Sequence, residues 1–391
     1  MNILVIPSWY ENKNNKTHGS FFREQAKALS ELGHNIYMLY VDIIRFNEVD
    51  RIITTKKYDF YEDEGMKVYR KKVVKIPKTS EVIVANKVRY GIEDLYNKYI
   101  KNSVKIDVIH AHSFIWAGYA GVSLSKKFNI PIMVTEHYTG YSRNIFSDNE
   151  KKLISYSMNN CDKCISVSSG LKNDMTRYTS NIIKVIPNMV DTKLFKFDSS
   201  KKYVNNKFLF VSVCYLMKKK GIDVLLKAFK LAFEECDDVE LRIGGDGEER
   251  ENLELLAKKL GIESKVKFVG ALERNEVVNL MSESQCFVLP SRFETFGVVY
   301  IEALALGKPV IATKTDAIVD IIDESNGLIV EKENIEQLKK ALIYIKNNYN
   351  QYKSSEISSK CIKNFSTYEV SKKIEKELIN IINNGEKNEI K

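Results

Sequence analysis

Residues Pro290 to Pro309 read PSRFETFGVVYIEALALGKP. The apolar run that leads into them, CFVLPS from Cys286 to Ser291, has the make-up of a strand buried on both faces. It enters a polar loop, then Gly297, then a helical pattern that closes at Gly307 ahead of Pro309. Strand, glycine-bearing loop and helix form the repeating unit of a doubly wound parallel sheet. Two carboxylates bracket the turn, Glu294 on the loop and Glu302 inside the helix. Eight positions at ~100° each would set them about 80° apart if both were helical. With Glu294 on the entry loop, both can face the space over the helix N-terminus. The peptide N–H groups from Thr295 through Phe296 and Gly297 to Val298 lack intrahelical acceptors and point to that same space. The helix dipole favours an anion there. The segment thus offers an anion cradle between two acceptors for hydroxyls, which matches a nucleotide-sugar: a diphosphate between two hydroxyl-rich rings. The bland alternative is an ordinary strand–helix unit with solvated glutamates.

The same residues carry a resemblance. Glu294 and Glu302 in the setting PSxxExFGxxxxEALAxGKPVIA resemble the E-x7-E signature of retaining family 4 glycosyltransferases with the GT-B fold. Glutamate spacing, FG, EALA and GKPV occur together, which makes the match specific. Further segments resemble that family: PNMVDTKLF near Asn188, with Met189 at the usual glycine, and the opening PSWY…GSFFREQAKAL, similar to enzymes of bacterial surface polysaccharide synthesis.

A chain of 391 residues exceeds what one core usually serves, so two domains are expected. With 44% hydrophobic and 28% charged residues it has a globular composition. No apolar run approaches the ~18 residues of a membrane span, and the first residues lack the basic flank of a signal peptide. A cytoplasmic setting is expected, and six cysteines fit it as free thiols. Cys161 and Cys164 form a lone CxxC without further ligands at zinc spacing, so no metal is expected. Net charge is +9 and unevenly placed: from Lys67 to Lys105, eleven Lys/Arg stand against three acids, a net +8. Peripheral contact with an anionic membrane or a solvated face are the readings. Nucleic acid is not expected, since no binding fold accompanies the charge. Within that segment Val84, Val88, Ile92, Leu95 and Tyr99 keep helical spacing. That stripe suits a bilayer surface or, as the preferred reading, the sheet of its own domain.

Along the first half, Ile3–Pro7 reads as a strand and SFFREQAKALSELG as the helix after it, with Gly19 between. There is no GxGxxG, so a dinucleotide site is not supported. Two later strands end in histidines: DVIHAH at His110 and His112, and PIMVTEHY at Glu136 and His137. Strand C-termini meet at the ligand crevice of such sheets, which raises the odds for these side chains. The resemblance implies that His137 touches the transferred sugar or acceptor, and that Gly19 lets the backbone approach the acceptor. His112 is an acceptor candidate or a core residue.

The second half restarts with strands at 208–213, 239–245, 266–270, 309–314 and 327–331. The resemblance implies that Lys220 pairs with donor phosphate and that Gly245 and Gly270 lie beside the nucleotide. Cys214 and Tyr215 stand where the family commonly has an arginine, and Lys218 or Arg292 are the substitutes. Thr315-Asp316-Ala317 replaces two family glycines.

The expected architecture is α/β, GT-B, two Rossmann-like doubly wound parallel-sheet domains facing a cleft. The boundaries are 1–195 for an acceptor domain, 196–207 for a linker and 208–365 for a nucleotide-sugar domain. A helix over 366–384 returns to the first domain, and 385–391 is a tail. The implied reaction is metal-independent and retaining, without a cofactor, as no D-x-D occurs. The donor is a UDP-sugar first and a GDP-sugar second, and the acceptor is a saccharide or lipid-linked. Catalytic roles fall to Glu294 and His137, and donor contacts to Lys220, Gly245, Gly270, Arg292, Thr295, Phe296, Gly297, Val298 and Glu302. Two rivals share the fold: a nucleotide-sugar 2-epimerase and a non-catalytic nucleotide-sugar-binding protein.

Overall fold

Alternating apolar strands and amphipathic helices fold into two units, each around its own parallel sheet. The computed structural model describes residues 1–10, 19–200, 207–315 and 317–389. By contacts, one unit comprises 1–188 together with 370–391, and the other 189–369.

The first unit holds β1 (Asn2–Pro7), β2 (Asn35–Arg45), β3 (Tyr58–Asp63), β4 (Met66–Lys75), β5 (Val108–His112), β6 (Ile132–Glu136), β7 (Lys163–Ser166) and β8 (Ile183–Val185). Their order is β3-β4-β2-β1-β5-β6-β7-β8. Every neighbouring pair is parallel except β3–β4. The edge strand β3 is absent from the sequence reading, because YDFYED carries too many acids to look like a buried strand. A tight turn at Glu64 and Gly65, both at positive φ, folds it back on β4.

The helix Glu81–Leu95 buries Val84, Val88, Ile92 and Leu95 against this sheet, so the apolar stripe serves the core and not a bilayer. Much of the basic segment is likewise matched within the unit. Arg70 pairs with Asp59 at 2.7 Å, Lys71 with Asp94 at 2.8 Å and Lys75 with Glu81, while Lys72 donates to the Ile52 carbonyl.

The second unit holds β9 (Phe208–Val213), β10 (Val239–Gly244), β11 (Val266–Gly270), β12 (Cys286–Leu289), β13 (Val310–Thr313) and β14 (Gly327–Val330). The order is β11-β10-β9-β12-β13-β14, all parallel, so strand order reverses between β9 and β12. Ligands of such sheets bind outside the carboxyl ends at that reversal.

Two boundaries differ from expectation. Met189–Phe195 groups with the second unit, because the Val190 N–H donates to the Phe365 carbonyl at 2.8 Å and its carbonyl accepts from Thr367. Met189 itself is buried and not at positive φ, so the position has no need of glycine. The C-terminal helix runs unbroken over Thr367–Glu389, and residues 385–389 continue it where a tail was expected, since no proline interrupts it. Its Glu377 pairs with Lys163 and Lys184, and Glu375 with His34. Within the expected linker, residues 201–206 lie outside the described residues, as does Asp316.

Candidate functional site

Where the strand order of the second sheet reverses, two loops come together. One leaves β9 and opens the helix Ile222–Phe233, and the other leaves β12 and opens the helix Val298–Ala305. The Arg292 N–H donates to the Lys219 carbonyl at 2.8 Å and ties them. The Arg292 guanidinium binds both oxygens of Asp223 at 2.9 Å and also reaches Glu333 and the Lys218 carbonyl. The guanidinium read as a donor contact is thus engaged in fastening loop to loop. Lys218 is exposed and makes no ion pair among the described residues.

Lys220 and Glu294 face each other from the two loops, Nζ to Oε1 at 2.6 Å. The buried Ser291 hydroxyl donates to the same oxygen at 2.9 Å, and the Thr313 hydroxyl holds the Ser291 carbonyl. Glu294 Oε2 takes no bond among the described residues. Burial works against the Lys220 charge, but the charge and hydrogen bond of Glu294 outweigh it and hold its pKa above the ordinary value. Lys220 has three hydrogens, so it can bind Glu294 and a phosphate oxygen together.

Thr295, Gly297 and Val298 stand half-buried at the helix entry, with the Tyr300 hydroxyl pinning the first turn to the Leu289 carbonyl at 2.8 Å. The first N–H groups of the helix open toward the loop. Phe296 turns the other way, into the core, with its ring 5.9 Å from Phe365, so any donor contact from it is through backbone. Glu302 is 8% exposed and lies 3.5 Å from the Arg274 guanidinium. Arg274 in turn sits over the Phe195 ring. Sequence reasoning missed Arg274, because nothing local marks it. At Gly245, φ is +119° and a Cβ would fall 1.8 Å from the Cys214 carbonyl oxygen. Its N–H donates to the Gly270 carbonyl at 2.7 Å. Glycine is required there for the chain's own loops to close.

In the first unit, His110, His112 and His137 form one buried cluster. His112 Nδ1 lies 3.2 Å from His137 Nε2, and His110 Nε2 lies 2.9 Å from the Thr135 hydroxyl. Phe22 packs on His112 and His137 at 4.8 and 5.0 Å. Burial pushes His110 and His137 down to about 3, and pushes His112 well below its ordinary value. All three are therefore neutral when folded, whereas the unfolded histidines titrate near ~6.5. Acidification from there toward ~3 protonates only the unfolded chain and must favour it. The urea midpoint of the first unit is expected to fall between pH 7.5 and pH 5, and less so for His110→Gln. Equal midpoints for the wild type at both pH values would refute neutral burial.

Glu136 sets the loop that carries His137. One carboxylate oxygen accepts the N–H groups of His137 and Tyr138 at 2.8 and 2.9 Å; the other accepts the Phe114 N–H and the Tyr141 hydroxyl, both at 2.9 Å. Burial raises its pKa in spite of these donors. Gly19 caps the helix Ser20–Glu31 at φ +76°, where a Cβ would fall 2.7 Å from the Trp9 carbonyl oxygen. The close approach read for Gly19 is thus to the chain itself.

Beside these residues, at the carboxyl ends of β1, β2 and β6, is a cavity of about 1060 Å³ walled by Trp9, Phe21, Tyr40, Asp42, Trp116 and Tyr138. Phe21 also packs on His137 at 5.0 Å. Cys161 and Cys164 lie apart from it, buried, Sγ to Sγ at 3.3 Å. Among the described residues, no group of three His, Cys, Asp or Glu side chains is placed to hold a metal ion.

Residues 195–364 match the family model "Glycosyl transferases group 1", and residues 18–194 match "Glycosyltransferase Family 4". An uncharacterized glycosyltransferase of Methanocaldococcus jannaschii is 32% identical over 266 residues, 66% of this chain and 72% of its own. Sucrose-phosphate synthase from Thermosynechococcus elongatus superposes with a TM-score of 0.78 at 18% identity, covering 97% of this chain and 99% of that one. Anabaena HepE, solved in complex with UDP and glucose, does so with 0.74 at 18% identity, covering 97% and 100%. The fold is GT-B, two Rossmann-like α/β units.

Proposed function

The chain belongs to the family 4 glycosyltransferases, and from that premise we propose that it moves a sugar from a nucleotide-sugar, with retention, to a saccharide or lipid-linked acceptor of a surface polysaccharide. A UDP-sugar is the first choice of donor and a GDP-sugar the second. The HepE complex with UDP and glucose supports the first. The proposed setting is the cytoplasm, at the inner face of the membrane.

The observation that carries this reading is the Lys220–Glu294 pair beside the entry of the helix Val298–Ala305. The diphosphate lies against the Lys220 ammonium and the first peptide N–H groups, which stabilise the charge that develops as the bond to the sugar breaks. Glu294 Oε2 accepts hydroxyls of the transferred sugar, and Glu302 holds the ribose. The leaving phosphate takes the acceptor's proton, on the same face of the sugar. His137, its loop fixed by Glu136, contacts the sugar or acceptor. Neither metal nor cofactor takes part.

A panel of UDP- and GDP-sugars with lipid-linked acceptors, followed by nucleotide release and product mass, tests this. One UDP-sugar is expected to yield nucleotide and glycosylated acceptor together, with EDTA leaving the rate within about twofold. Strict dependence on Mg²⁺ or Mn²⁺ would contradict the leaving-group account. Nucleotide release without a glycosylated product would favour the epimerase.

A further inference from the structure

Five large apolar side chains crowd one end of the first unit. Phe46, Val49, Ile53, Ile76 and Ile83 are 60%, 55%, 75%, 59% and 51% exposed. Sheet register explains their proximity. Arg45 on β2 stands opposite Lys75 on β4, so the next residues, Phe46 and Ile76, leave the sheet side by side. Val49 and Ile53 share one face of the helix Val49–Thr54, which is tied to β4 by the bond from Lys72 to the Ile52 carbonyl. Ile83 lies in the first turn of the helix Glu81–Leu95, which the Lys75–Glu81 pair draws to the same place. A soluble surface gains nothing from such a cluster, and contiguous exposed apolar area marks an interaction face.

Charge tells what covers it. The carboxylates around the cluster turn inward: Asp42 and Glu48 bind Arg51, and Glu81 binds Lys75. The cations turn outward: Arg45, Lys56, Lys57 and Lys78 are exposed and in no ion pair among the described residues, against Asp50 alone of the exposed acids between 45 and 60. Apolar side chains ringed by unpaired cations suit a surface of anionic headgroups over hydrocarbon. The cluster also borders the aromatic cavity. Arg45, Asn47, Glu48 and Lys75 belong to the cavity wall, and Phe46, Val49 and Ile76 follow them directly in the chain. An amphiphile could therefore reach the cavity from a bilayer without its chain crossing water.

We propose that the face of Phe46, Val49, Ile53, Ile76 and Ile83 seats on an anionic lipid bilayer and sets the mouth of the first-unit cavity at the membrane interface. This deepens the acceptor side of the reading above and rests on it only for what the cavity holds. It moves the contact off the lysines of β4, which are engaged within the fold, onto residues free to leave water.

The test is co-sedimentation of the full chain with phosphatidylglycerol–phosphatidylcholine vesicles, and with pure phosphatidylcholine, at low and high salt. Wild type is expected to pellet with the anionic vesicles and to be partly released by salt. Phe46→Ser/Ile53→Ser/Ile76→Ser should lower the partition coefficient at least about tenfold, since each side chain leaves apolar surroundings. Lys56→Glu/Lys57→Glu/Lys78→Glu should remove the salt-sensitive part. Ile182→Ser, altering a side chain 85% exposed elsewhere on the unit, should change nothing. All these positions are at the surface, so circular dichroism is expected to match wild type. Wild type that stays in the supernatant, or a serine triple variant that pellets like wild type, overturns the inference. So does a dimer in analytical ultracentrifugation that the triple variant dissolves, because a second copy would then own the face. Pelleting does not require turnover, so absence of glycosyl transfer would refute the functional reading and leave this result standing.

Discussion

Glu294→Ala is expected to lower kcat by about 100-fold or more while moving KM for the donor only a few-fold. The carboxylate hangs between Lys220 and Ser291 by one oxygen, and the proposal gives the other to the sugar. A contact that places the reacting ring matters most in the transition state, so its loss should appear in kcat. The side chain also holds Lys220 charged against burial. Its removal therefore weakens the cation that the proposal sets against the leaving diphosphate, which adds to the effect. Glu294→Gln keeps an acceptor without the charge and should fall between the two. Steady-state kinetics with the preferred donor decide the matter, and wild-type turnover by the alanine variant would rule Glu294 out.

Glu136→Ala should destabilise the first unit by about 3–5 kcal/mol. Three peptide N–H groups and the Tyr141 hydroxyl lose their acceptor, inside a site where Glu136 is 1% exposed. Each buried donor left unpaired costs ~1–3 kcal/mol, reduced where water enters the space of the lost side chain. Glu136→Gln should also be destabilising, because its amide nitrogen turns hydrogens toward donors. Urea unfolding followed at the first unit measures both. A loss under about 1 kcal/mol for the alanine variant would mean that the loop carrying His137 is held by something else.

The contrast between these two glutamates shows what a sequence displays and what it conceals. The placement of Glu294 and Glu302 at one helix entry is legible because it follows from local geometry: a buried strand, a loop, a glycine and a helix start within twenty residues. The two-sheet architecture is legible for the same reason, as each βα unit announces itself through its own periodicity. Glu136 gives no such signal. An acid at a strand end looks solvated until the turn after the neighbouring strand supplies the Phe114 N–H and the segment that follows supplies Tyr141. Arg274 and Glu302 meet across 28 positions, and Arg292 finds Asp223 across 69, so only the folded sheet reveals either pair. For Arg292 the sequence counts the charge but not the carboxylates of Asp223 and Glu333 that pair with it. The edge strand β3 escapes because its acids look solvated in the sequence, whereas in the fold Asp59 pairs with Arg70 and buried Asp63 with Arg23 and Tyr10. The apolar stripe of Glu81–Leu95 was legible as a stripe, and burial against the sheet selects between its two readings.

Calorimetric titration of UDP into the purified chain tests the central claim most directly, because it asks whether the loops after β9 and β12 form a nucleotide site before any acceptor is known. The account predicts saturable binding by wild type, unchanged by EDTA and weakened at least about tenfold in Glu302→Ala, which loses the contact to the ribose. No heat of binding with UDP or GDP, or equal affinity for wild type and Glu302→Ala, would contradict it.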